Sequence, residues 1–104
     1  MAPHQAIVTV ASAGTPVALT SDGTIMCSSF LVKQLYGNAA GSGYVGLSNL
    51  TKATGVGVIY DLAVITASFT SPGPYPGQNP NRLADYFLDA DVGGMKFLVT
   101  WWVA

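Results

Sequence analysis

Three aspartates, Asp85, Asp89 and Asp91, lie within seven positions of the stretch LADYFLDADVGGMKFLVTWW and are the residues best placed to do chemistry. Two carboxylates could act as an acid and a base, and a D-x-D step could offer oxygen ligands to calcium. An acid–base pair also needs a concave site that separates the two pKa values, and a calcium loop needs regular further ligands with a terminal Glu. An amphipathic strand offers no concave site to Asp85 and Asp89, so we predict no catalytic site here. The chain contains no Glu, so we predict no calcium site either.

The same stretch has the pattern of a β-hairpin, because successive strand residues point to opposite faces. Over Ala84–Ala90 the alternation puts the first two aspartates on the solvent side, and over Met95–Val103 it puts Trp101 in the core and Trp102 on the outer face. The connector Asp91–Gly94 (DVGG) has turn chemistry, in which Gly supplies positive φ and Asp bonds nearby backbone. We therefore predict that the two strands pair with each other around this turn.

The other reactive residues form no recognisable catalytic or cofactor motif. The lone His4 lies in a segment expected to be mobile, and the single cysteine, Cys27, lies in the apolar segment IMCSSFLV, where a buried side chain is expected. The glycine-rich segment Gly37–Gly43 (GNAAGSG) lacks the Gly-Lys-Ser/Thr of a P-loop, and no G-x-S-x-G elbow occurs. The sequence predicts a protein that is not an enzyme and needs no cofactor.

The composition favours a small, weakly charged protein that assembles with a partner. A chain of 104 residues normally forms one domain, so residues 1–104 are assigned to one. Charged residues make up 9% of the chain, against about 25% on average, and a net charge of −1 supplies little repulsion between copies.

The cations are scattered, without the basic stripe that phosphates require, so no nucleic-acid partner is expected. The longest apolar run, VGVIYDLAVITA, is too short for a membrane helix and is interrupted by Asp61, and no signal peptide is visible.

Short β-branched and aromatic runs, separated by Gly, Ser, Asn and Pro, recur along the chain, and helical periodicity is weak. About seven such runs favour an all-β fold, a single-domain antiparallel β-sandwich or jelly roll. The predicted strands are Gln5–Ala11, Pro16–Thr20, Ile25–Tyr36, Gly43–Leu47, Val58–Thr70 in one or two pieces, Ala84–Ala90 and Met95–Val103.

One connector, SPGPYPGQNPN at residues 71–81, contains four prolines and two glycines. Because proline fixes φ and lacks an N–H donor, this segment is predicted to be an exposed, semi-rigid loop outside any sheet. It is either an inert long turn or a contact arm. As an arm, a preordered loop would lose little entropy on docking, and Tyr75 would be a rigid aromatic anchor.

Three segments, TVASAGTPVALT (Thr9–Thr20), GYVGLSNLTKATG (Gly43–Gly55) and NRLADYFLDADVGGMKFLVTWW (Asn81–Trp102), occur in an order that resembles a known family. The family comprises small all-β virion proteins of tailed bacteriophages, encoded among head genes and described as decoration or head-fibre-type proteins. The resemblance covers about half the chain. Where similar proteins tend to have a short turn with a Pro-Gly step, this chain has VGVIYDLAVITASF followed by the proline-rich segment.

The resemblance implies a β-sandwich without enzymatic activity that sits on or within a phage capsid. We expect a capsid decoration or cement protein that stabilises the assembled head, with the major capsid protein, sister copies or both as partners. Its location is then the capsid of the virion, assembled in the host cytoplasm. The alternatives are a head-fibre, tail or adaptor component, or a carbohydrate-binding module that presents Trp102, Tyr75 and Tyr60 to sugars. The expected partner-binding residues are Tyr75 on the arm and Leu98 and Trp102 on the outer face.

Overall fold

The computed structural model describes residues 3–38, 41–71 and 81–103. These residues form nine β-strands and one turn of 3-10 helix at Leu83–Asp85. The strands are β1 (Pro3–Val10), β2 (Val17–Ala18), β3 (Met26–Gln34), β4 (Gly43–Thr51), β5 (Val56–Leu62), β6 (Ser68–Thr70), β7 (Asn81–Arg82), β8 (Phe87–Ala90) and β9 (Met95–Val103).

The strands form two antiparallel sheets that pack as a sandwich. The five-stranded sheet has the order β1-β9-β3-β6, with the short β7 also paired to β3, and the four-stranded sheet has the order β2-β8-β4-β5. The prediction of an all-β antiparallel sandwich is confirmed. The described residues contain two more strands than the roughly seven predicted, because Val58–Thr70 divides into β5 and β6 and because β7 is added next to the proline-rich segment.

The core lies between the two sheets and is built from alternate residues of the long strands. Phe30 and Val32 of β3 and Phe97 and Val99 of β9 are all fully buried. The Phe97 ring lies against Gly43 of β4, where an added Cβ would clash with it, so a glycine leaves the space that the ring occupies. The other core residues are Val10, Leu19, Cys27, Val45, Leu62, Leu83, Leu88, Ala90 and Met95.

The predicted burial of the single cysteine is confirmed. Cys27 is fully buried in this core, and burial raises the pKa of its thiol above the ordinary value. Since the thiolate is the reactive form, such a cysteine acts as a small apolar side chain. The described residues also include no helix with the length and hydropathy of a membrane span.

The predicted hairpin is wrong, because β8 and β9 belong to different sheets. β8 pairs with β2 and β4, whereas β9 pairs with β1 and β3. The connector between them passes from one sheet to the other: Asp91 N donates to Ser42 O beside β4, and Gly94 N donates to Val10 O of β1. Gly94 has a φ of 88°, a conformation that only glycine adopts easily, and this lets the chain turn sharply into the second sheet.

Several predicted strand bounds also change. The segment Pro16–Thr20 contributes only the two-residue β2, and the first part of Ala84–Ala90 is a 3-10 turn rather than a strand. In that turn Tyr86 N donates to Leu83 O, which uses backbone groups locally that a strand would offer to a neighbour. The alternation assumed from Ala84 onward therefore begins only at Phe87.

The proline-rich segment is attached to β3 at both ends. Ser71 N donates to Phe30 O, and Ser71 Oγ accepts from Phe30 N, each at 2.8 Å. Asn81, in β7, pairs with Cys27. The predicted exposed loop is therefore too long by one residue at each end, since Ser71 is buried and Asn81 is in a strand, while residues 72–80 with Tyr75 lie outside the described residues.

Candidate functional site

The second aspartate of the acidic stretch is buried. Asp89 is 1% exposed, and its Oδ1 accepts hydrogen bonds from Gly14 N at 2.9 Å and from Ala90 N at 2.8 Å. The prediction that it lies on the solvent side is wrong, because the turn between β1 and β2, which carries Gly14, folds over this face. Asp89 therefore fastens that turn to the four-stranded sheet.

The third aspartate joins three parts of the same sheet. Asp91 accepts hydrogen bonds from the Tyr44 hydroxyl at 2.8 Å and from Ser42 N at 3.1 Å, and Lys52 Nζ lies 3.5 Å from its Oδ1. Lys52 Nζ also donates to Ala90 O at 2.9 Å. The hydrogen bond to Asp91 raises the pKa of Tyr44 to about 12, and the same bond lowers the pKa of Asp91 below its ordinary value.

The first aspartate is separate from the other two. Asp85 is exposed, as predicted, and its nearest cation is Arg82, whose Nη1 lies 3.8 Å from Asp85 Oδ1. Among the described residues, no group of three or more His, Cys, Asp or Glu side chains could hold a metal ion together. The chemistry of Asp89 and Asp91 is hydrogen bonding that fixes loops, and the three carboxylates do not converge on one site.

The outer face of the five-stranded sheet is the candidate interaction site. The register of β1, β9 and β3 sets Ile7 and Lys33 beside Leu98, and Pro3 and Ser29 beside Trp102. Since the alternate residues of β9 are buried in the core, these side chains point away from it. We call this surface the Trp102 face; it consists of Pro3, Gln5, Ile7, Thr9, Ser29, Leu31, Lys33, Lys96, Leu98, Thr100 and Trp102.

The Trp102 face combines five apolar residues with four neutral polar residues and two lysines, Lys33 and Lys96, and it carries no carboxylate. Ile7 is 59% exposed, whereas Leu98 and Trp102 are partly buried by their neighbours. One polar pair at the centre is bonded within the face, since Gln5 Nε2 donates to Thr100 Oγ1 at 3.0 Å. Exposed apolar surface arranged as one patch, rather than scattered singly, is typical of contact sites.

The predicted partner-binding residues Leu98 and Trp102 lie together on this face, and Tyr75 lies outside the described residues. Sequence reasoning missed Ile7 and Leu31, which come from strands β1 and β3. Alternation within IMCSSFLV makes Leu31 face away from its buried neighbours Phe30 and Val32, and alternation within QAIVTVA puts Ile7 on the face opposite to Val8 and the buried Val10. No local pattern, however, says that β9 lies between these two strands.

Trp101 faces the core side of the same sheet, as predicted, but it is only partly buried. It packs on the edge of the core and stacks on the His4 ring, with centroids 5.7 Å apart and ring planes 19° apart. His4 lies in β1, opposite Trp101.

Two of the three aromatic residues named for a sugar site, Tyr60 and Trp102, do not share one surface, and Tyr75 lies outside the described residues. Tyr60 is on β5 of the four-stranded sheet, on the side of its cross-strand partner Val45, and its ring packs on Phe69 at 5.5 Å. Trp102 is on the outer face of the other sheet. Tyr60 and Trp102 therefore cannot contact one sugar chain as a continuous platform.

One pocket of about 300 Å³ lies at the end of the sandwich, between the segment after β3 and the turn before β9. Its central polar side chain, Asn38, is already bonded to Lys96, with Asn38 Nδ2 donating to Lys96 O at 2.7 Å and Lys96 N donating to Asn38 Oδ1 at 2.9 Å. The lining of this pocket includes no Asp, Glu, His or Cys side chain. Its lining residues are Leu35, Tyr36, Gly37, Asn38, Val92, Gly93, Gly94, Met95 and Lys96.

No protein-family model, no curated protein and no solved structure matches this chain.

Proposed function

We propose that the protein is a non-enzymatic structural protein of a tailed-bacteriophage virion, a decoration or cement protein that docks onto the assembled head. The observation that supports the proposal most directly is the Trp102 face, which groups Ile7, Leu98 and Trp102 on the outside of a β-sandwich and carries no carboxylate. The resemblance of three segments to phage head proteins supplies the kind of partner, the major capsid protein. The Trp102 face supplies the means of attachment.

Trp102 is the residue expected to contribute most to docking. A few buried aromatic residues dominate the binding energy of protein interfaces, and truncating a fully desolvated Trp commonly costs more than about 2 kcal/mol. That loss corresponds to a roughly thirtyfold weaker affinity. Ile7 and Leu98 are cross-strand neighbours on the same face, and their burial would exclude water from part of the contact.

The proline-rich segment belongs to the same interface in this proposal. Its two anchors on β3, Phe30 and Cys27, flank Ser29, which is the cross-strand neighbour of Trp102. A segment that leaves and returns at these positions starts beside the Trp102 face. The arm and the face can therefore contact one partner, as a two-part interface.

Docking would stabilise the head by mass action. A protein that binds only the assembled shell stabilises it by RT ln(1 + [L]/Kd) at each site, which is about 2.7 kcal/mol at a hundredfold excess over Kd. A capsid repeats its sites many times, so a moderate gain at each site accumulates over the particle.

The experiment adds purified variants to particles that lack the protein and measures occupancy after sedimentation. Trp102→Ala should fold normally and bind about thirtyfold more weakly, and deletion of Gly73–Asn79 should also weaken binding. Val56→Ala is the control, because Val56 is 53% exposed and lies on β5 of the other sheet, so its occupancy should stay at the wild-type level.

Full occupancy by both the Trp102 and the arm variants would exclude this face and this arm from the interface. Absence of wild-type binding to any head, together with binding of a soluble glycan by the isolated protein, would contradict the structural role itself and favour a carbohydrate-binding module.

A further inference from the structure

Strand β1 forms one edge of the five-stranded sheet, and its peptide groups alternate between β9 and the open side. Val10 O accepts from Gly94 N at 2.8 Å, toward β9. Thr9 is paired with Lys96, but the backbone of Lys96 is used on the opposite side, where its C=O accepts from Leu35 N and its N–H donates to Asn38. Thr9 therefore directs its own N–H and C=O to the open edge, and by the antiparallel alternation Ile7 and Gln5 do the same.

This edge lacks the features by which proteins usually prevent pairing. Edge strands are commonly short, bulged, charged with Lys or interrupted by Pro. β1 spans eight residues in unbroken register with β9, and its one proline, Pro3, is its first residue. From Gln5 to Val10 it contains no ionisable side chain. Within the described parts of the chain, no other strand pairs with this edge.

The inner side of β1 is also incompletely covered. The register puts His4, Ala6 and Val8 on the same side as Val10, which is fully buried. His4 and Ala6 are nevertheless exposed, so this part of β1 extends beyond the sheet that packs beneath it. A neighbouring strand with its own side chains would cover both the open peptide groups and this uncovered side.

We propose that the open edge of β1 pairs with β1 of a second copy of this chain, antiparallel and about a two-fold axis, so that the two five-stranded sheets become one continuous sheet. The inference does not depend on the proposed function. A second copy fits because an antiparallel strand is complementary to itself under two-fold symmetry. Neutral residues also face each other without the like-charge repulsion that identical charged strands would suffer.

The structure also favours one register for this pairing. Side chains of paired residues must point to the same face, and an axis through Ile7 places Ile7 opposite its copy and Gln5 opposite Thr9 of the other copy. The outward N–H and C=O groups of all three residues are then satisfied. An axis through Ala6 would set Thr9 opposite Pro3, which has no N–H, and would leave the Thr9 carbonyl unpaired. The axis at Ile7 also joins two exposed isoleucines into an apolar pair and brings the two Trp102 faces side by side.

The first test is the molar mass of the purified chain, measured by sedimentation and light scattering over a wide concentration range. The wild type and Ile7→Val should form dimers. Ile7→Lys places two ammonium groups opposite each other on the axis, so its dissociation constant should rise at least tenfold. Ile7 is 59% exposed, so this variant should keep the wild-type melting temperature at concentrations where both proteins are monomeric.

The second test is backbone amide hydrogen exchange of the wild type, resolved by residue, at low and high concentration. The amides of Gln5, Ile7 and Thr9 should become protected as the dimer forms, whereas those of Ala6 and Val8 should be protected at every concentration by β9. A chain that stays monomeric throughout would overturn the proposal. So would an associated form in which the three outward amides still exchange freely, which would place the contact elsewhere.

Discussion

Removing the Asp89 carboxylate should destabilise the fold, although its sequence position suggests a solvated edge. Asp89→Ala deletes the acceptor of two backbone N–H groups, those of Gly14 and Ala90. The Ala90 donor is buried and cannot reach water, which costs about 1–3 kcal/mol. The Gly14 donor lies in an exposed turn, so water can replace its partner and only a net contribution of roughly 1 kcal/mol is lost.

The two contributions together predict a loss of about 2–4 kcal/mol in the free energy of unfolding. Asp89→Asn keeps an oxygen that can still accept from both donors, so it should cost about 1 kcal/mol. The matched control is Asp85→Ala, because Asp85 is exposed and its one ion pair, with Arg82 at 3.8 Å, is also exposed. Exposed pairs of this kind contribute little, so the control should change stability by less than about 0.5 kcal/mol.

Urea titrations of the three variants and the wild type, followed by tryptophan fluorescence, measure these differences. Equal m-values would show that the same surface is exposed on unfolding in each case. If Asp89→Ala is as neutral as Asp85→Ala, then Asp89 is solvated, the Gly14 turn does not cover it, and the role assigned to this carboxylate is wrong.

Two further predictions concern packing and pH. Gly43→Ala should lower the free energy of unfolding by about 1–3 kcal/mol, because it forces a methyl group against the Phe97 ring. Adding Phe97→Leu to this variant should recover part of that loss. If the losses of the two single variants are additive in the double variant, the two residues do not touch. Tyr44→Phe removes the hydrogen bond that raises the pKa of Tyr44 to about 12 and lowers that of Asp91. The raised pKa of Tyr44 contributes stability below pH 10.0, the ordinary value, and this contribution is lost as the pH rises toward about 12. The lowered pKa of Asp91 contributes stability above pH 3.8, and this contribution is lost as the pH falls below that value. The difference in unfolding free energy between wild type and Tyr44→Phe should therefore be largest near neutral pH, and a difference that does not vary with pH would contradict the assignment.

Local patterns predicted which way the side chains of β9 point. Alternation alone puts Phe97 and Val99 in the core and Leu98 and Trp102 outside, and the structure agrees. This succeeds because the direction of a strand side chain depends only on its position along its own strand. The all-β class follows in the same way from repeated short apolar runs and turn residues.

Partner choice between strands could not be predicted in the same way. A four-residue turn between two amphipathic strands suits a hairpin and a crossing between sheets equally well, and the contacts of Asp91 with Ser42 and of Gly94 with Val10 decide for the crossing. The burial of Asp89 was missed for a related reason, since the covering residue, Gly14, lies 75 positions away in the chain. Ile7 and Leu31 join the Trp102 face only through the same kind of long-range pairing.

Several of the nine charged side chains of this protein form hydrogen bonds or ion pairs within it. Asp89 and Asp91 fix loops to the four-stranded sheet, Lys52 bridges Asp91 and the Ala90 carbonyl, and Arg82 Nε donates to Gly23 O at 2.9 Å. Side chains used in this way contribute little to attraction or repulsion between molecules. What the five-stranded sheet presents outward is a face that groups Ile7, Leu98 and Trp102 beside two lysines, and an edge of open peptide groups. The edge is recognised at contact distance, by hydrogen bonds rather than through long-range charge. Selectivity at the edge must then come from strand register, because a partner strand has to set its own N–H and C=O groups opposite those of Gln5, Ile7 and Thr9.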